Sequence, residues 1–268
     1  MRFATWKVLR PALLALLALL ALLTFPPLAQ AQSAFVAIFI DTKSEARLGA
    51  FPYDRAVYAN ALLAFQKLGA TGVVLKFFID QPKGKGDDAL ALAMTTLPVI
   101  LQARCDDAEP NPNPLAQRFS TVASKDAIFA MTCTSGWIPL ARLQEKAANV
   151  CFIDQSGVDT PFLLERYQGR AVKTLYVCAL ELAGKPIPVA EANGSRKVDL
   201  SAAPRAEVIS LVDVLDGKID RARIANKIVV FGYEGPQAPM FDSAIGRISA
   251  HRAFMANLLA LEQKRATK

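Results

Sequence analysis

The chain has 268 residues, of which 53% are hydrophobic and 21% charged, and its formal net charge is +7. That balance excludes a disordered, collagen-like or coiled-coil protein, each of which needs low hydrophobicity or a strict repeat. The length allows one large domain or two small ones, with enough apolar residues for a sizeable core.

Taken in chain order, residues 1–31 have the layout of a secretory signal peptide. Arg2, Lys7 and Arg10 make a positive start without acidic residues, and Ala12 to Phe25 is an apolar run of 14 residues. About 20 are needed to span a bilayer core. Pro26 and Pro27 end any helix there, because proline lacks the amide proton. Ala29 and Ala31 put small residues three and one before a cut after Ala31. The alternative is an uncleaved anchor over residues 12–25. No cysteine lies near the cut, which disfavours a lipoprotein. Beyond Gln32 no segment reaches spanning length without charges, so the expectation is a soluble periplasmic or secreted chain. Losing the three leader cations lowers the net charge to +4. The remaining basic residues are scattered without interleaved aromatics, which argues against nucleic acid as a partner.

Short β-rich runs then alternate with amphipathic helices. Phe35 to Ile40, ending at Asp41, predicts a strand buried on both faces. Asp54 is placed to cap a helix running to Leu68, and Gly69 supplies its left-handed stop. Gly72 to Phe78 is the next strand, Asp87 opens a helix limited by Pro98, and Val99 to Ala103 is a third strand. An insert rich in Pro, Asn and Asp spans Asp106 to Asp126 and is followed by a strand-like run, Ile128 to Thr132. A helix is predicted over Pro139 to Ala147, strands over Val150 to Ile153 and Phe162 to Tyr167, and a helix over Ala171 to Ala183. Val208 to Leu215 and Ile228 to Phe231 are late strands, with a turn at Gly232 to Gly235. Ser249 caps a final helix whose Ala250, Phe254, Leu258 and Leu261 form one stripe. Strand alternating with helix predicts an α/β fold: a single domain with a largely parallel central sheet and helices on both faces.

The four cysteines, Cys105, Cys133, Cys151 and Cys178, favour disulfides in an exported chain. They lack CxxC spacing and the chain has one histidine, so no zinc or other metal site is expected. Cys105 and Cys133 each close a strand-like run, and a Cys105–Cys133 bridge would clip the polar insert. Cys151 and Cys178 sit in apolar runs and fit a second bridge or two buried thiols equally.

Several motifs, in their order and spacing, resemble the CHASE2 domain, an extracytoplasmic sensory module of bacterial histidine kinases, adenylate cyclases and other receptors. The first is the run Phe35 to Asp41 with Ser44, followed by Leu48-Gly49-Ala50-Phe51-Pro52-Tyr53-Asp54-Arg55. Gly69-Ala70, Gln81-Pro82 and Asp87 to Ala91 follow, and Ser210 to Gly217 and Asn226 to Gly232 are similar to late family segments. Asp242 and His251 fall where the family has an aspartate and a late histidine. The resemblance runs from about Phe35 to about Leu259. It departs at Lys76, where a member often carries an aspartate, and at Thr160, where the family's hairpin matching Asp154 to Thr160 has an arginine. The chain also stops at Lys268, whereas family receptors continue into membrane helices and an output domain. The resemblance therefore implies residues 32–268 as a sensory or ligand-binding domain without its own output. Its partners would be a small solute, a membrane signalling or envelope protein, or both, and it would need no cofactor. The alternatives are a non-sensing subunit of an envelope assembly and, in the enzyme class, a secreted hydrolase.

Ligands of open α/β sheets bind at the carboxyl ends of the strands. That places Asp41, Arg55, Lys76, Asp80, Asp87 and Asp88 in a candidate pocket for a small charged molecule, with Asp242 and His251 added by the resemblance. Lys76 opposite Asp41 would form an ion pair, and its ammonium would compete with a divalent cation for the same oxygens. The plainer alternative is that Asp54 and Asp87 cap helices, Arg55 anchors a loop and Asp41–Lys76 ties strand ends. Ser249, His251 and Asp242 invite a hydrolase triad, but no Gly-x-Ser-x-Gly elbow is present, so no catalytic residue is assigned.

Overall fold

The computed structural model describes residues 33–108, 113–188 and 191–266. The leader, the alternative anchor over residues 12–25 and the cut after Ala31 lie outside the described residues. Six parallel strands build the main sheet. They are β1 (Phe35–Asp41), β2 (Gly72–Leu75), β3 (Val99–Cys105), β7 (Asn149–Phe152), β12 (Val208–Ser210) and β13 (Ile228–Glu234). Their spatial order is β12, β1, β13, β2, β3, β7, and β6 (Gly136–Trp137) adds antiparallel to the end of β3. A smaller sheet pairs β4 (Ser120–Thr121), β11 (Arg170–Lys173), β10 (Leu164–Tyr167) and β5 (Thr132–Cys133) in that order. Two hairpins, β8 (Gln155–Gly157) with β9 (Thr160–Pro161) and β14 (Met240–Ser243) with β15 (Gly246–Ser249), stand apart.

Strand periodicity explains the layers. Val36, Ile38 and Ile40 of β1 point to one face and Phe35, Ala37 and Phe39 to the other, each row joining a separate buried cluster. The first face packs against α2 (Arg55–Lys67), α3 (Lys85–Ala93), α4 (Ala141–Gln144) and α6 (Leu211–Leu215). The second packs against α5 (Leu175–Leu182) and α7 (Ala250–Ala266). A short α1 (Thr42–Leu48) follows β1 directly, capped by Asp41. The fold is thus α/β with a mostly parallel sheet covered on both sides.

Asp54 caps α2 through the Ala56 amide, and Gly69 takes a φ of 84° just past its end. Two bridges tie the layers. Cys105–Cys133 joins the main sheet to the smaller one, and Cys151–Cys178 joins β7 to α5, resolving the alternatives left open for that pair. The buried Gln144 pins the insert, donating to Pro114 O and Pro139 O and accepting from Ala116 N.

Local patterning misled at several boundaries. The predicted helix over Ala171 to Ala183 is β11 followed by α5, because a turn at Gln168 and Gly169 folds β11 back onto β10. Phe162 to Tyr167 contributes β10 to the smaller sheet rather than to the main one. Val208 to Leu215 divides into β12 and α6, an apolar run whose period cannot separate strand from helix. The run from Ile128 forms a strand only at Thr132–Cys133, and the helix expected over Pro139 to Ala147 is confined to α4. β2 ends at Leu75, while β13 runs on through Glu234 where a turn was expected. Gly84, not Asp87, stands at the start of α3.

Candidate functional site

A cavity of about 620 Å³ opens at the carboxyl ends of β2, β3, β7 and β13, beneath the start of α7. Its floor follows from register. Gly232 of β13 pairs with Phe39 and lies one position past Phe231, the partner of Leu75, so it stands beside Lys76. Gln102 lies two positions beyond Ile100, the partner of Val74, which puts it on the other side of Lys76. All three positions point to the α7 face. Gly232 leaves room for the His251 ring, whose Cδ2 would stand 2.5 Å from a Cβ added there. Above them Phe254 of α7 lies under the Lys76 ammonium, with Nζ 5.1 Å from the ring centroid.

The electrostatics of this floor are unusual. Lys76 is 8% exposed, and no described carboxylate lies within ion-pairing distance. Burial brings its amine down to about 7. Gln102 is 3% exposed and its Oε1 has no hydrogen-bond partner. His251 Nε2 lies 3.2 Å from Lys76 O. Burial first, then the Lys76 charge, brings this imidazole down to about 3, so it is neutral at physiological pH.

The opposite wall carries acids with their own partners. Asp154 Oδ2 accepts from Cys105 N at 2.9 Å, and Arg104 Nε stands 3.6 Å from its Oδ1. Behind it Glu165 is fully buried. Desolvation, and then the neighbouring Asp154 charge, holds the Glu165 carboxyl well above the usual carboxylate range. Asp154 is raised as well, chiefly by burial. Ligand atoms of Asp154, Glu165 and Cys105 lie within 4.8 Å of one another, but Cys105 Sγ is spent in its disulfide. What remains is a pair of neighbouring buried acids, and burial with mutual repulsion disfavours ionising both. Phe51, Phe77, Phe78, Tyr233 and Phe241 complete an aromatic rim.

Among the residues proposed from sequence, Lys76 and His251 line this cavity. The expected Asp41–Lys76 ion pair does not form. β13 lies between β1 and β2, so the two strand ends are not neighbours. Asp41 instead accepts from Ser44 N, Ser44 Oγ and Ser210 Oγ. Burial alone would raise its carboxyl, but these hydrogen bonds outweigh it and hold it below the ordinary value. Arg55 and Asp87 are both buried and face each other across α2 and α3, Nε to Oδ1 3.5 Å. Asp87 also accepts from Lys83 N at 2.7 Å. Asp88 is exposed and paired with Arg142. The Asp80 carboxylate accepts from the neighbouring Gln81 side chain, and Asp242 is exposed on the β14–β15 hairpin.

Among the described residues His251 makes no hydrogen bond to a serine of the hydrolase kind. Ser249 Oγ pairs with Glu234 Oε1 and accepts from Arg252 N, while His251 turns to Lys76 O. Sequence reasoning missed Gln102, Arg104, Asp154 and Phe254. The available signal was Gln102, a polar side chain inside the otherwise apolar run Val99 to Ala103.

Among the described residues no helix is long and apolar enough to cross a membrane. No curated protein and no solved structure matches the chain. The family model described as the CHASE2 domain matches residues 4–264, nearly the whole length, and reaches further towards the N-terminus than the motifs quoted above. With that coverage, the chain belongs to the CHASE2 domain family, a family of extracytoplasmic sensory domains.

Proposed function

We propose that the chain is a non-enzymatic sensor that binds a small solute in the cavity between the strand ends and α7. The occupied state is then read by a membrane signalling or envelope partner. One observation carries the reading. A buried lysine without a counter-charge lies in a cavity of about 620 Å³ rimmed by aromatics. Buried charges are costly unless paired, so an unpaired ammonium in an open cavity fits a site whose partner arrives with the ligand. On this reading residues 32–268 act as one sensory domain in the periplasm or outside the cell, starting at Gln32 after removal of the leader. Two disulfides suit such an oxidising compartment.

Thermal unfolding with fractionated metabolite extract tests the binding. A ligand at 100 times its dissociation constant adds about 2.7 kcal/mol of stability. Crosslinking in intact envelope, followed by mass spectrometry of the tagged chain, identifies the partner and the N-terminal residue together.

A second reading, a subunit of an envelope assembly, is favoured by the β14–β15 hairpin. Met240, Phe241 and Ile245 remain 45%, 40% and 47% exposed there. Unfolding unchanged by every fraction, with crosslinks concentrated on that hairpin, would replace the sensor by the subunit.

A further inference from the structure

We infer that the cavity is built for an organic monocarboxylate with an aromatic body, its carboxylate on Lys76 Nζ and its ring among Phe51, Phe78 and Phe241. This inference rests on the solute-binding reading above and names the chemical class of the solute.

Charge sets the sign and the number. Arg104 faces Asp154, which is its acidic partner at the wall of the cavity, Nε to Oδ1 3.6 Å. His251 is neutral. Lys76 is therefore the one cation lining the cavity without an acidic partner among the described residues, and one anionic group on the ligand satisfies it. A dianion such as phosphate would leave a charge facing Phe77, Phe254 and Ile153. A cationic ligand would bring a second positive charge to Lys76 in a site of low dielectric.

Geometry sets the rest. Lys76 and Gln102 rise side by side from neighbouring strands, so a planar carboxylate that accepts from the ammonium with one oxygen can accept from the Gln102 side-chain NH2 with the other. The Gln102 Oε1 is itself an acceptor without a partner, so only the NH2 of that amide can donate to the ligand's carboxylate. The remaining lining is apolar and aromatic, and the volume is within the range of sites that enclose a small organic molecule. Contacts with the aromatic rim of Phe51, Phe78 and Phe241 favour a flat ring over a sugar or a small inorganic anion.

The test uses one body in three charge states: 3-phenylpropionate, 3-phenylpropionamide and 3-phenylpropylamine, titrated calorimetrically into the mature chain. The acid is expected to bind, the amide at least tenfold more weakly, and the amine not measurably. In Lys76→Met the acid is expected to fall to the level of the amide. Lys76→Gln, which keeps a polar group, provides a second variant should the first fold poorly. Amide or amine binding as tightly as the acid overturns the inference, and so does an acid whose affinity ignores both substitutions. If neutral or cationic metabolites bind and lose affinity in Phe241→Ala while carboxylates do not bind, the solute-binding reading stands and the carboxylate class falls. If neither these probes nor any metabolite fraction binds, both fall together.

Discussion

The carboxyl groups of Asp154 and Glu165 meet behind the Cys105–Cys133 disulfide, at the wall of the cavity, with Glu165 fully buried. Two like charges so close in a dry site cannot both ionise cheaply, so burial and mutual repulsion keep the pair partly protonated.

This pair makes stability depend on pH in a defined direction. The folded chain holds the Glu165 proton well above the ordinary value of 4.5, while the unfolded chain releases it near that value. The native state then binds more protons than the unfolded one. Stability is full below about pH 4.5 and falls as pH rises towards the folded value, by up to about 1.4 kcal/mol per pH unit. Glu165→Gln should flatten that decline and raise the melting temperature at pH 7. A parallel decline in wild type and variant would reject the raised Glu165 carboxyl.

Lys76 titrates in the opposite sense. Its amine is near 7 when folded and 10.5 when exposed, so the unfolded chain binds the extra proton and wild-type stability climbs between these two values. Lys76→Met removes the buried charge and should stabilise the chain by a few kcal/mol below pH 7, a gain that fades towards pH 10. Because β13 separates the strand ends by about 10 Å, Asp41→Asn and Lys76→Met should add within roughly 0.5 kcal/mol. A larger coupling in urea unfolding would restore the ion pair that the structure dissolves.

The two bridges close loops of similar size, with sequence separations of 28 and 27. Replacing either pair by serines should cost about 3 to 4 kcal/mol. A non-reducing digest should yield Cys105 linked to Cys133 and Cys151 linked to Cys178. Alkylation of any of these thiols without reductant would contradict that connectivity.

Gly232 is the smallest test of the site's architecture. A methyl group there would stand 2.5 Å from His251 Cδ2, and the ring is hemmed in by Phe39 and Phe77. Gly232→Ala should destabilise by roughly 1 to 3 kcal/mol through overpacking. The companion His251→Ala should recover part of the loss. If Gly232→Ala unfolds like wild type, the ring does not occupy that space.

Much of the fold was legible because its signals are local. The apolar run of β1, the Asp54 cap and the Gly69 stop lie within a few residues of the structure they direct. Helix and strand were confused where an apolar run is short, as at Val208 to Leu215, or where a strand precedes a helix without punctuation, as at Arg170 to Leu182. Of the site, sequence alone singled out Lys76 and His251 but assigned Lys76 the wrong partner.

The residues by themselves determined the strand–helix alternation and the family and favoured a bridge from Cys105 to Cys133, since each depends on spacing along the chain. Only the tertiary structure decided strand order. By inserting β13 between β1 and β2 it parted Asp41 from Lys76 and set Gly232 and Gln102 on either side of the ammonium. Parallel strands pair through contacts far apart in sequence, so a period of 2.0 or 3.6 says which face a residue takes but not which strand becomes its neighbour.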